Sequence, residues 1–80
     1  MANLLIRDTE AEERVYFNGQ VIVNDCHFDD HVEADVPVQI YLSNVHQDIG
    51  FIEQYCSQYV KINHTFYDRS RFTFVSRPGY

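Results

Sequence analysis

The densest chemistry in this chain is the run Asp25-Cys26-His27-Phe28-Asp29-Asp30-His31. Thiol, imidazole and carboxylate are all ligands that zinc accepts. Structural zinc sites, however, set their ligands in paired knuckles two to four residues apart. Here the second cysteine, Cys56, stands thirty residues beyond Cys26. A site made from Cys26–His31 alone needs His27, His31 and a carboxylate to converge without a scaffold. The segment therefore reads first as a solvated acidic loop, with a small metal-binding module as an alternative, and no cofactor is expected.

Nucleophilic catalysis fits less well. A reactive thiolate needs nearby positive charge, and Cys26 is surrounded by carboxylates. Acid–base work by paired carboxylates needs a cleft, for which eighty residues leave little room beside a core. Three scattered glycines cannot form a phosphate-cradling loop. The chain reads as a non-enzyme.

Charge is sorted along the sequence. Residues 1–60 carry eleven carboxylates against Arg7 and Arg14, a net −9, whereas residues 61–80 set Lys61, Arg69, Arg71 and Arg77 against Asp68, a net +3, which recovers the total of −6. A protein of that charge is repelled by phosphate backbones unless its cations cluster. Arg69, Arg71 and Arg77, interleaved with Tyr67, Phe72 and Phe74, make a stacking surface in miniature. The competing reading pairs Arg71 and Arg77 with Glu12, Glu13 and their neighbours, and direct nucleic-acid binding is not expected.

The elements that must position these groups are those of a single domain over residues 1–80. Nine Val and six Ile against three Leu, with twelve Phe and Tyr, favour sheet over helical bundle. Leu4, Leu5 and Ile6 are too short for a leader's apolar core, and no run is long enough to span a membrane, so a cytoplasmic protein with free thiols is expected. Asn18-Gly19 predicts a type I′ hairpin between Glu13–Phe17 and Gln20–Asn24. That hairpin turns Val15, Phe17 and Ile22 to one face and Tyr16, Val21 and Val23 to the other. Residues 25–35 show little periodicity and read as a loop or ragged edge strand. Val36, Val38, Ile40 and Leu42 alternate as a strand, with Pro37 near its start.

A helix is predicted next. Asn44 would cap it, Gln47 and Asp48 suit its first turn, and Val45, Ile49, Ile52, Cys56 and Tyr59 recur on one face. Phe51, Tyr55 and Tyr59 form an aromatic stripe that widens this face. Strands over Thr65–Tyr67 and Arg71–Val75 follow, separated by a turn through Asp68-Arg69-Ser70. The expected fold is α+β: an antiparallel sheet of about four to five strands with one amphipathic helix packed on one face.

In that fold the hairpin gathers two acidic clusters at one end, Asp8/Glu10/Glu12/Glu13 and Asp25/Asp29/Asp30/Glu33/Asp35. A one-sign field of this kind attracts a basic partner. The expected function is a stoichiometric inhibitor, of the kind phages and mobile elements encode, that docks on the basic surface of a nucleic-acid-binding protein. Asp25, Asp29, Asp30, Glu33 and Asp35, with Glu12 and Glu13, would supply the field, and Tyr16, Phe51 and Tyr55 contact area. The alternative is a self-associating assembly subunit, a homodimer through the aromatic stripe.

Overall fold

The structure, a computed structural model, describes residues 16–79. The order is β1 (Val21–Ile22), α1 (Asp25–Glu33), β2 (Val38–Leu42), β3 (Val45–Gly50), β4 (Ile52–Tyr55), β5 (Tyr59–Ile62), β6 (Thr65–Asp68) and β7 (Thr73–Ser76). The strands form two antiparallel sheets, a four-stranded one in the order β1-β7-β2-β3 and a three-stranded one in the order β4-β5-β6. The fold is α+β, as expected, but its strands are divided between two sheets.

Residues 25–33 are not a loop. They form the helix, because its ends are satisfied by means other than the usual sequence marks. Asn24 precedes it in extended conformation, and the His27 imidazole accepts the Asn24 N–H at 3.3 Å, as a Glu or Gln does in a capping box. At the far end Asp35 takes φ of 53°, its N–H reaches the Val32 carbonyl, and the Val36 N–H reaches that of His31. This is a Schellman closure with Asp where Gly is usual.

The predicted helix over 45–59 is instead β3, β4 and the start of β5. Ser43 and Asn44 have φ of 50° and 68°, so Asn44 closes a type I′ hairpin rather than capping a helix. Asn63-His64, at 53° and 65°, makes the same turn between β5 and β6. Asn18-Gly19, the pair expected to do this, makes a turn in which only Gly19 (φ 97°) is left-handed. Tyr16 and Phe17 lie outside any strand, and β1 pairs with β7, Val21 to Val75 and Ile22 to Phe74. Residues 13–15 of the expected strand Glu13–Phe17 and the cluster Asp8/Glu10/Glu12/Glu13 fall outside the described residues.

The strand expected over Val36–Leu42 is β2, and Val38 and Ile40 are buried. The tail follows the expected strand–turn–strand order, yet β6 and β7 join different sheets. Both sheets feed one core of Ile22, Phe28, Val38, Ile40, Ile52, Val60, Ile62 and Phe74. Phe28 ties the layers together. Its ring, 1% exposed, meets Phe74 of β7 edge-on at 5.5 Å and Tyr55 of β4 at 5.9 Å.

Candidate partner-binding face

Helix α1 carries the acidic residues on a rigid element. Asp25, Asp29 and Glu33 recur every four residues and are exposed, while Phe28 and His31 on the other side are buried. At 1.5 Å per residue the three carboxylates succeed one another by about 6 Å along the axis. Asp30 is half-buried and Asp35 is exposed just past the helix end. Sequence spacing thus gathers Asp25, Asp29, Asp30, Glu33 and Asp35 on one short element. Glu12 and Glu13 lie outside the described residues.

One basic residue of the tail neutralises part of this field. Arg69 Nη1 lies 2.7 Å from Asp25 Oδ1 and donates to the Cys56 carbonyl at 2.6 Å, and Nη2 donates to the Val23 carbonyl at 2.8 Å. The guanidinium also lies over the Phe28 ring, 4.5 Å from its centroid. Arg69 therefore ties α1, the segment after β1 and the end of β4 together. Arg77 and Lys61 turn elsewhere: Arg77 donates to Gln39 and Tyr41, and Lys61 faces Glu53 at 3.8 Å.

The aromatic residues expected to supply contact area behave differently. Tyr16 and Tyr55 are half-buried against the core, and their hydroxyls donate to the acidic helix, Tyr16 to Asp30 at 2.7 Å and Tyr55 to Asp29 at 3.3 Å. Burial and the Asp29 charge push the Tyr55 phenol up. These two tyrosines brace α1 rather than forming an outer hairpin face or a helical stripe. Phe51 sits on the β3–β4 link and is 54% exposed. With β-strand geometry, Phe51, Tyr55 and Tyr59 no longer share the face that helical spacing gave them.

The histidines of the Cys26–His31 segment are held by protein groups. His27 Nδ1 accepts the N–H groups of Val23 and Asn24, and His31 contacts the His27 carbonyl and the Ser76 hydroxyl. No three His, Cys, Asp or Glu side chains among the described residues are placed to hold a metal ion. Cys56, expected in the core, is exposed beside Tyr55, Tyr59 and Phe66. The backbone N–H groups of Gln58 and Tyr59 lower its thiol pKa.

A second polar joint escaped sequence reading. Asp48 of β3 accepts the Asn63 amide at 3.1 Å and the Tyr67 hydroxyl at 3.0 Å, linking one sheet to the other. The Asn63 hydrogen bond is the main cause holding the Asp48 carboxyl below its usual range. Gly50 makes room, since a Cβ there would stand 2.8 Å from the Asn63 amide nitrogen. No family model, curated protein or solved structure matches this chain. Among the described residues, no helix is long and apolar enough to cross a membrane.

Proposed function

We propose that this protein is a non-enzymatic interaction protein that docks the acidic face of α1 on the basic surface of a partner, a nucleic-acid-binding protein, and so blocks nucleic acid from that surface. One observation carries the reading: Asp25, Asp29 and Glu33 stand in an exposed row on a helix whose opposite side is anchored by Phe28 and His31. Carboxylates held on a rigid element lose less freedom on binding than the same groups on a loop. Their field steers encounter with a cationic surface and fades with salt. The reading places the protein in the cytoplasm, where such partners work and where Cys26 and Cys56 stay reduced.

The test is binding to candidate basic proteins across a salt series, with wild type and with Asp29→Lys/Glu33→Lys. Affinity is expected to fall steeply with salt in the wild type and to be lost in the variant. Equal retention of the partner by both proteins, or an affinity indifferent to salt, removes the reading.

Self-association is the second reading. Its support is the outer face of β5–β6, where Tyr59 and Phe66, 42% and 56% exposed, meet edge-on at 6.3 Å and Lys61 lies over the Phe66 ring. Exposed aromatics of this kind anchor interfaces. Sedimentation separates the two readings, since a monomer at tens of micromolar counts against assembly through this face.

A further inference from the structure

Two imidazoles one turn apart hold α1 in place, and the hydrogen bonds they make fix where their protons are. His27 Nδ1 lies 3.2 Å from the Val23 nitrogen and 3.3 Å from the Asn24 nitrogen. Backbone N–H groups only donate, so this ring nitrogen carries no proton. His31 Nδ1 lies 2.6 Å from the His27 carbonyl, which only accepts, so Nδ1 carries the proton. In a neutral ring Nε2 is then an acceptor, and the Ser76 hydroxyl donates to it at 2.7 Å. His31 and Ser76 are both fully buried, and this bond joins α1 to β7 in the centre of the four-stranded sheet.

We propose that His31 is a proton-operated latch: its ring must be neutral for α1 to stay closed on the sheet, and proton uptake by it releases the helix. A proton on His31 Nε2 would place a full charge in the core and oblige the Ser76 hydroxyl to reverse.

The groups facing His31 decide which way its titration moves. Its own helix supplies Asp30, which favours the charged ring, and His27, which opposes it. The segment before β1 supplies Tyr16, whose ring centroid is 4.4 Å away and whose hydroxyl is engaged by Asp30. Ser76 comes from β7, and its neighbour across the sheet, Val38 of β2, brings no charge. Burial outweighs the Asp30 charge and the bond to the His27 carbonyl, and holds the His31 imidazole below its ordinary value. An opened helix returns the His31 ring to water, where it titrates at about pH 6.5. The latch is therefore complete above that pH. It weakens as pH falls toward the lowered value of closed His31, and levels off below it.

Amide hydrogen exchange, read residue by residue by NMR between about pH 7.5 and 5, tests this without any binding partner. Protection of the α1 amides is expected to fall about ten-fold per pH unit for each proton taken up on opening, ahead of the β5–β6 amides. His31→Gln removes the titrating ring and is expected to abolish that slope. Wild-type protection that stays flat through the window overturns the latch, as does a His31→Gln variant that keeps the wild-type slope. If that variant does not fold, the ring nitrogens of the wild type decide: His31 must hold its proton on Nδ1 and titrate below the ordinary value. Titration at or above that value overturns the proposal.

Discussion

Helix α1 draws its support from segments distant in the chain: Phe28 from β7 and β4, Asp25 from Arg69, His31 from Ser76. The β5–β6 hairpin draws much of its support from itself. Tyr59–Ile62 pairs with Thr65–Asp68 across a two-residue turn, and Val60 and Ile62 bury fully beneath it. A nine-residue helix is too short to be stable alone in water, whereas a tight hairpin at least fixes its own register. The difference locates the weak point of the fold. Whatever disturbs the tertiary anchors should loosen α1 first and leave the hairpin paired, and α1 is the element that carries the acidic row.

The largest expected effect comes from the anchor shared by all layers. Phe28→Ala removes a ring buried between the sheets and is expected to cost about 3–5 kcal/mol in urea unfolding. Exchange protection should fall in α1 before β5–β6, and equal loss in both would break the contrast. Arg69→Met keeps an apolar stem over Phe28 but removes the bonds to Asp25, Cys56 and Val23, for an expected loss of about 2–3 kcal/mol. Asp25→Asn removes only the exposed partner and should cost less than about 1 kcal/mol. If the two cost the same, the ion pair rather than the two carbonyls is what Arg69 supplies. The smallest effect sharpens the comparison from the other side. Asp35→Gly relieves the left-handed residue that closes α1 and removes a carboxylate from the helix's negative end. It is expected to stabilise by about 1 kcal/mol, with the gain confined to α1 amides.

Residues 25–35 and 45–59 show how much of this was legible. The acids of 25–35 hide a helix because its inward face is short, Phe28 and His31 with half-buried Val32, and because His27 and Asp35 do the work of Gln and Gly at its ends. The spacing of Val45, Ile49, Ile52, Cys56 and Tyr59 fits a helix by coincidence. Two of those residues, Ile49 and Ile52, flank Gly50, where one sheet gives way to the other. β-Branched residues and Asn-containing turns were the truer local signals there. Asn18-Gly19 did turn the chain, and the strand beyond it pairs with β7.

By itself the sequence determined the α+β class, the strand at Val38–Leu42, the strand–turn–strand order of the tail and the concentration of acids in residues 25–35. These follow from composition, alternation and charge, which are local properties of the chain. Tertiary structure decided the rest. It chose which segment became the helix, because nine residues with four acids among them gain a helical fold only when Phe28 can be buried between two sheets. It also decided the charge balance, because Arg69 reaches Asp25 only after β6 has carried it across the molecule.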